Sequence, residues 1–153
     1  MFFSHQTIYT IIAIAAFLVL ILLLVLLLAL RKSKQPKEMD SLEGHDFEQY
    51  CASILENHSF CDVQVTKGSG DYGIDILAEK DGVSYAIQCK RYDSPIGVDV
   101  ILKTYGGRVF YDCMVGVVMT NQYFTAPAVE AAQKLNILLW DRGYIDSMLE
   151  ESS

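Results

Sequence analysis

The sequence predicts an α/β domain, with one mixed β-sheet flanked by helices and preceded by one transmembrane helix. Three observations support this prediction. An uncharged apolar run fills the N-terminal region, helix and strand periodicities alternate along the rest of the chain, and an Asp81-Gly82 pair separates two strand-like segments. Such alternation is typical of a sheet covered by helices, and it predicts the element order α-β-β-β-α-β-α-β.

The apolar run extends from Ile8 to Leu30 and contains no charged residue, Gly or Pro. As a helix its 23 residues would span about 34 Å, which is enough to cross a hydrocarbon core of about 30 Å. A cleaved signal peptide is the alternative, but the first seven residues contain no Lys or Arg. We therefore expect residues 1–30 to form an uncleaved transmembrane anchor.

Basic residues flank the run on its C-terminal side, namely Arg31, Lys32, Lys34 and Lys37. No basic residue precedes the run, so the positive-inside rule predicts a single-pass protein of the cell membrane with its N-terminus outside. The remainder of the chain would then lie in the cytoplasm. We expect a basic linker over residues 31–40 and one folded domain over residues 41–153.

The first half of this domain is predicted to contain one helix and three strands. Apolar residues recur at helical spacing over Phe47–His58, a helix that Ser41 is expected to cap. Alternation of apolar and polar residues predicts strands over Asp62–Thr66, Ile74–Glu79 and Val83–Arg91. The Asp81-Gly82 pair between the last two is a strong hairpin signal, because Asp and Gly tolerate the positive φ angles of a tight hairpin turn.

The second half of the domain is predicted to alternate helix and strand. A helix is expected over Val98–Tyr111, despite the Gly106-Gly107 pair, and the apolar run Val115–Thr120 predicts a buried strand. Pro127 fits the first turn of a helix over Ala126–Leu135. Asn136 is expected to end that helix, and Ile137–Trp140 is the last predicted strand.

The charge of the domain argues against strong binding of nucleic acid. From Ser41 onward the sequence has 17 acidic and 8 basic residues, a net charge of −9. Proteins that bind nucleic acid are usually basic, because phosphate contacts come from Lys and Arg. A metal site can partly escape this requirement, since a bound cation reverses the local field.

Four cysteines are scattered along the domain, at Cys51, Cys61, Cys89 and Cys113. They form no CxxC pair and have no His at zinc-finger spacing. We expect buried free thiols in a reducing compartment, with disulfides or a zinc site as the alternatives.

The predicted hairpin also predicts where side chains lie. With a two-residue turn, the numbers of paired residues sum to 163, so Asp75 should face Gln88, with Lys90 on the same side. The opposite side would be apolar, with Ile74, Ile76, Ile87 and Cys89. A solvated outer face is the simpler explanation of the polar side. Against it, the Gly-rich stretch 67–73 precedes these residues and would let a large ligand approach the backbone.

A carboxylate, an amide oxygen and a lysine suit the hydrolysis of a phosphodiester. Mg²⁺ takes few protein oxygens and keeps several waters, so Asp75 and Gln88 could both be metal ligands. The metal would activate a water and offset charge on the phosphate. Lys90 would orient that water and stabilise the new charge.

The segment from Leu42 to about Tyr144 resembles the Mrr-type (type IV) restriction endonuclease family, within the PD-(D/E)xK nuclease superfamily. The matching pieces are Leu42-Glu43-Gly44 with Phe47-Glu48, then Gly70-Asp71-Tyr72-Gly73-Ile74-Asp75, Gln88-Cys89-Lys90-Arg91-Tyr92, and Val118 with Thr120-Asn121, Phe124-Thr125 and Ala128. Their order and spacing match as well as their composition. The resemblance implies a restriction-endonuclease-like fold.

The resemblance also implies roles for individual residues. Asp75 is expected to be the metal-binding aspartate and Lys90 the catalytic lysine, with Gln88 in place of the acidic residue of the wider superfamily. Glu48 resembles an additional catalytic carboxylate, although a half-exposed helix residue is an equal alternative. We expect nucleic-acid contacts from Arg91 and Asn121.

Together these observations predict a membrane-anchored, Mg²⁺-dependent DNA endonuclease of the restriction type. The alternative is a catalytically weak or inactive nuclease fold that serves as a membrane-tethered nucleic-acid-binding module, which the net charge of −9 favours. RNA remains open as a substrate. Cleavage of both strands by one small site would be helped by a homodimer.

Overall fold

The computed structural model describes residues 38–67, 70 and 72–151, together with residues 9, 14 and 17–22 near the N-terminus. The chain divides into two compact units, Met1–Lys37 and Glu38–Ser153. The second unit contains the predicted sheet and begins three residues before Ser41.

The predicted membrane anchor requires a correction. Within the residues described, no helix is long and apolar enough to cross a membrane. Residues 9, 14 and 17–22 are helical, whereas the other positions of the apolar run and the basic residues 31–37 lie outside the described residues. The length of an apolar run shows how far it could reach as a helix, but the run crosses a membrane only if it forms one continuous helix. The prediction of a single-pass membrane protein, with its cytoplasmic localisation, is therefore not supported.

The second unit has the predicted order of elements, with a short helix added before it and another helix after it. Its helices are α1 (Glu38–Ser41), α2 (Gly44–Asn57), α3 (Val98–Phe110), α4 (Ala126–Leu135) and α5 (Arg142–Glu151). Its strands are β1 (Cys61–Val65), β2 (Ile76–Lys80), β3 (Val83–Lys90), β4 (Val115–Thr120) and β5 (Ile137–Trp140). This confirms the predicted mixed sheet flanked by helices.

The five strands form one sheet in the order β1-β2-β3-β4-β5. The pairs β1–β2 and β2–β3 are antiparallel, and the pairs β3–β4 and β4–β5 are parallel. The beginning of β2 and the ends of β3, β4 and β5 therefore lie at the same edge of the sheet, which we call the carboxyl edge. Asp75 and Lys90 both lie at this edge.

The hairpin between β2 and β3 has the predicted register. Its pairs run from Ile76 with Ile87 to Lys80 with Val83, and each pair of numbers sums to 163. Asp81 and Gly82 have φ angles of +53° and +75°, which are the positive values that a type I′ turn requires. The Asp-Gly signal therefore identified the turn and fixed the register.

Two apolar clusters cover the two faces of the sheet. One joins the sheet to α2 and α5 and includes Phe47, Ile87 and Ile145. The other joins it to α3 and α4 and includes Ile101 and Val118. Because side chains alternate along a strand, neighbouring residues of β4 enter different clusters, with Val117 and Met119 in the first and Val118 in the second.

Two local predictions were wrong. Glu43, not Ser41, is the N-cap of α2, and it makes no side-chain capping bond, while Ser41 ends the separate helix α1. All four cysteines are free, as predicted, but only Cys51 and Cys89 are buried. Cys61 is exposed on the edge strand β1, where a strand covered on one side cannot bury both of its faces.

Candidate active site

Asp75 lies immediately before β2 and is 7% exposed. Its backbone N–H donates to the carbonyl oxygen of Ile87 (2.9 Å), and its Oδ2 accepts from the backbone N–H of Cys89 (2.7 Å). Asp75 therefore bonds to both chain neighbours of Gln88. At the end of the hairpin, the carboxylate of Asp75 takes the place of a backbone carbonyl as the acceptor for the N–H of Cys89. Asp75 and Gln88 are therefore not the regular ladder pair that the register predicted.

The strand alternation breaks at Ile74, one residue before Asp75. Ile76, Ile87 and Cys89 pack in the cluster beneath α2, as predicted. Ile74 instead packs against α3, where a Cβ added to Gly107 would lie 2.5 Å from its Cγ1. Its predicted place beside Ile76 was wrong, because the backbone before β2 turns through Gly73, which has a φ of +81°.

Gln88 is fully buried and faces α3, where its Oε1 lies 2.9 Å from the hydroxyl oxygen of Thr104. That hydroxyl also lies 2.8 Å from the carbonyl oxygen of Val100, and it has one proton for two acceptors. The Nε2 of Gln88 has no hydrogen-bond partner among the described residues.

Turning the Gln88 amide over resolves this conflict. Thr104 then donates its proton to Val100 and accepts a hydrogen bond from the Nε2 of Gln88. The Oε1 of Gln88 is left as a buried oxygen with no partner in the described fold. Such an oxygen suits a cation, because a buried polar atom without a partner is costly.

Lys90 is the last residue of β3 and is half-buried. Its carbonyl oxygen accepts from the hydroxyl of Thr120 (2.6 Å), which fixes the end of the strand. Regular alternation along β3 places Lys90 on the same face as Gln88. The structure thus brings Gln88 and Lys90 to one face, with Asp75 at the same edge.

Glu48 approaches the sheet from the opposite face, because it lies on α2. Its carboxylate is 3.1 Å from the Nδ1 of His45, and its side chain is 22% exposed. A hydrogen bond with Cys51, followed by burial and by electrostatic interactions with Cys51, Asp75 and Glu48, raises the pKa of the Cys89 thiol well above its ordinary value. Both carboxylates therefore favour the neutral form of the Cys89 thiol.

Asn121 is 1% exposed and holds two loops together. Its Oδ1 accepts from the backbone N–H of Tyr92 (2.9 Å), and its Nδ2 donates to the carbonyl oxygen of Tyr92 (3.0 Å) and to the Oδ1 of Asp40 (2.9 Å). Both amide hydrogens are thus used within the fold, and no donor is left for a nucleic acid.

Arg91 is partly held in place by the fold. Its Nη1 lies 3.0 Å from the carboxylate of Asp93, and its Nη2 donates to the carbonyl oxygen of Asp40. Its Nε is buried without a partner among the described residues. Asp40 also pairs with Arg142, so this aspartate connects α1 to the carboxyl edge.

Two residues important to this site were missed in the sequence. Thr104 gave a signal, because it is a polar residue three positions from Ile101 and from Gly107 on the buried face of α3. Asp40 gave none, because it lies in a polar stretch that predicted a linker. In the part of the chain that the structure describes, no three His, Cys, Asp or Glu side chains form a metal-binding group.

The Mrr catalytic-domain family of restriction endonucleases matches residues 39–149. The chain belongs to this family. The match confirms the resemblance to this family that was seen in the sequence. No curated protein matches the chain.

Two solved structures are similar to this fold. The crystal structure of a protein of unknown function, AF1548, is 25% identical with a TM-score of 0.60, covering 70% of this chain and 65% of that one. The DNA modification-dependent restriction endonuclease AspBHI is 16% identical with a TM-score of 0.53, covering 70% of this chain and 31% of that one. The second likeness shows the fold alone. The chain thus spans less than two thirds of the length of either.

Proposed function

We propose that this protein is a metal-dependent nuclease that hydrolyses DNA phosphodiester bonds at the carboxyl edge, with Asp75, Gln88 and Lys90 at the centre of the site. Membership of the restriction endonuclease family supports the reaction class. The observation that carries the site is the buried Gln88 amide, whose second terminal atom has no partner in the described fold, beside the hydrogen-bonded carboxylate of Asp75.

Restriction endonuclease domains typically use a divalent metal ion, and the residues of this site fit one. The carboxylate of Asp75 and the amide oxygen of Gln88 would hold the ion, for which Mg²⁺ is the natural choice because it prefers oxygen ligands. When bound, the ion supplies Lewis-acid polarisation of the scissile phosphate and of the attacking water.

The protein's own groups position the reaction. The N–H of Cys89 holds the Asp75 carboxylate in one orientation, and Thr104 does the same for the Gln88 amide. The ammonium of Lys90 would donate hydrogen bonds to the attacking water and to a phosphate oxygen, where negative charge increases in the transition state. Glu48 would add a second carboxylate from α2.

Cleavage of plasmid, duplex and single-stranded DNA by the full chain, with Mg²⁺ or with EDTA, tests this function. We expect Mg²⁺-dependent cleavage that falls at least about a hundredfold in Asp75→Ala and in Lys90→Ala, because positioned electrostatic groups contribute about 3–4 kcal/mol to such reactions. Matched controls are Glu130→Ala and Lys134→Ala, which remove an exposed ion pair on α4. If Asp75→Ala and Lys90→Ala fold and still cleave at the full rate, the site assignment is wrong.

A nuclease fold without activity, acting as a nucleic-acid-binding module, is the second candidate. The net charge of −9 over residues 41–153 favours it, because an active nuclease must also attract a polyanion. Binding of DNA or RNA oligonucleotides with no Mg²⁺-dependent cleavage of either would establish this alternative. Cleavage of RNA in preference to DNA would keep the chemistry and change the substrate.

A further inference from the structure

Two aromatic rings lie on the surface close to the candidate active site. Tyr72 is 56% exposed and Phe110 is 55% exposed, and their rings stack with centroids 3.7 Å apart and planes 24° apart. Tyr72 precedes Asp75 by three residues in the chain. Each ring contacts the other and still leaves more than half of its residue open to solvent, so the pair offers a flat aromatic surface.

This aromatic pair is packed directly against the segment that carries Asp75. A Cβ added to Gly107 of α3 would lie 2.8 Å from the carbonyl oxygen of Tyr72 and 2.5 Å from Ile74. Close packing of this kind is possible only because position 107 has no side chain. The backbone of Tyr72 and the side chain of Ile74, both shortly before Asp75, are therefore packed against α3, the helix that carries Phe110.

A cation accompanies the rings, although the domain is acidic. The side chain of Lys103 lies across Gly73, where an added Cβ would be 2.5 Å from its Cε. At 100° per residue, Lys103 and Phe110 are about 20° apart around α3, so they lie on the same side of the helix. We call Tyr72, Lys103 and Phe110 the α3 platform.

We propose that the α3 platform binds the nucleic-acid substrate and that the Tyr72–Phe110 pair stacks on an unpaired base beside the cleaved phosphate. This proposal deepens the proposed function and rests on it for the position of the cleaved bond. It assigns the substrate class as single-stranded or locally unpaired nucleic acid. Exposed aromatic side chains beside a cation are a combination by which proteins bind single strands.

The charge of the protein favours an unpaired substrate over an intact duplex. A duplex covers both faces of each base and is bound mainly through its dense phosphates, which needs many cations. The domain has 8 basic residues against 17 acidic ones, and Arg91, Lys134 and Arg142 already pair with carboxylates. Stacking supplies affinity that does not depend on charge, and it requires a base with an open face.

Binding measured without cleavage tests the proposal separately from the catalytic site. Fluorescence anisotropy in EDTA would compare a labelled single-stranded oligonucleotide with the matching duplex, using the full chain. We expect tighter binding of the single strand, and a loss of about five- to one-hundred-fold in Tyr72→Ala and in Phe110→Ala, the range measured for base stacking on aromatic residues. Tyr144→Ala is the matched control, because Tyr144 is also exposed (45%) and stacked, on Trp140 of the opposite face of the sheet.

The other outcomes overturn the proposal. Equal affinity of wild type, Tyr72→Ala and Tyr144→Ala for the single strand would exclude stacking at this surface. If Tyr72→Ala and Phe110→Ala lose the same affinity for the duplex as for the single strand, the rings do not bind an unpaired base. A wild-type dimer that Tyr72→Ala converts to a monomer, with unchanged oligonucleotide binding, would assign the platform to a second copy of the chain.

The variant Tyr72→Leu separates loss of stacking from loss of folding. Leu still covers Phe110 with an apolar side chain, so we expect this variant to fold and to lose binding of the single strand. Because metal is absent, a catalytically inactive protein would give the same binding results.

Discussion

Gln88 is the residue on which the chemistry of this site depends most closely. It stands where the resemblance to the wider nuclease superfamily implies an acidic residue, and it is fully buried with its amide held by Thr104. A neutral ligand contributes no charge to a cation, so the proposed metal site would have only the charge of Asp75 at its centre. The neutral side chain also spares the fold an unpaired buried carboxylate when metal is absent.

Replacing Gln88 by Glu should strengthen the binding of a metal ion and destabilise the fold when the metal is absent. We expect the Mg²⁺ concentration for half-maximal binding to fall at least about tenfold. At an effective dielectric constant of about 20, two unit charges 4 Å apart attract each other by about 4 kcal/mol, from which the cost of desolvation is subtracted. Without metal the melting temperature should fall, and Mg²⁺ should restore it. Isothermal titration and thermal unfolding measure both effects.

Gln88→Leu is the matched control for that substitution. It removes the amide oxygen without adding charge, so it should weaken Mg²⁺ binding while its stability becomes independent of the metal. If Mg²⁺ binds wild type, Gln88→Glu and Gln88→Leu with equal affinity, Gln88 is not a ligand.

Helix α3 is the element that connects the site to the surface. Its buried face carries Thr104, which holds Gln88, and Gly107, which receives Ile74. The same helix carries Lys103 and Phe110 of the α3 platform, and Tyr72 stacks on Phe110. The two adjacent glycines of α3 differ in their surroundings: a Cβ at position 106 would meet nothing within 4 Å, whereas one at position 107 would overlap Ile74 and Tyr72.

The two glycines therefore predict opposite effects of the same substitution. Gly106→Ala should stabilise the fold by up to about 1 kcal/mol, because Ala costs less conformational entropy in a helix. Gly107→Ala should destabilise it by about 1–3 kcal/mol, because the added methyl group forces α3 away from the segment before Asp75. Chemical denaturation of the two variants measures the difference.

Gly107→Ala should also reduce cleavage more than its stability loss explains, because Ile74 and Asp75 are adjacent. Gly106→Ala supplies the control for helix propensity in both measurements. Equal stability and equal cleavage in the two variants would show that the packing of α3 against Ile74 does not position the site.

At the scale of the whole molecule, charge is distributed unevenly. Residues 41–153 have a net charge of −9, and several of the cations are used in ion pairs or ring contacts. Within the described residues, Lys67, Lys90 and Lys103 have neither an ion pair nor a hydrogen bond from the ammonium group. Lys90 lies at the carboxyl edge with Asp75, Lys103 lies across Gly73, and Lys67 follows Thr66, whose N–H donates to the carbonyl oxygen of Asp75. If the domain binds nucleic acid as we propose, these lysines are the phosphate contacts that we expect.

This distribution predicts a weak dependence of nucleic-acid binding on salt. Three phosphate contacts give a slope of about −2 for the logarithm of affinity against the logarithm of salt concentration on a single strand, since each contact contributes about −0.7. Lys103→Gln should make the slope less steep by about one contact. Lys134→Gln, which makes the same change in charge at an existing ion pair, should leave the slope unchanged. A slope steeper than about −5 would show that phosphate contacts dominate and that these lysines are too few.

The sequence by itself determined the strands and the three helices between α1 and α5, the hairpin register and the family of this protein. The bounds of β4, α4 and β5 match the predicted ones, and the Asp81-Gly82 turn set the pairing of β2 with β3. These features are local: side-chain periodicity and turn chemistry act within a few residues, so a single segment contains the information. The apolar run shows the limit of composition, which suggested a membrane span that the described structure does not contain.

Only the tertiary structure decided how the site is built. The contact between Gln88 and Thr104 joins residues 16 apart in the chain, and the bond between Asn121 and Asp40 joins residues 81 apart. The alternation breaks at Ile74 because this side chain packs against α3 at Gly107. The alternation of apolar and polar residues along a strand contains no information about a helix that packs against the strand. The stacking of Tyr72 on Phe110 has the same origin. Local pattern gives each residue its element, whereas the partner of a buried polar group depends on how distant elements pack.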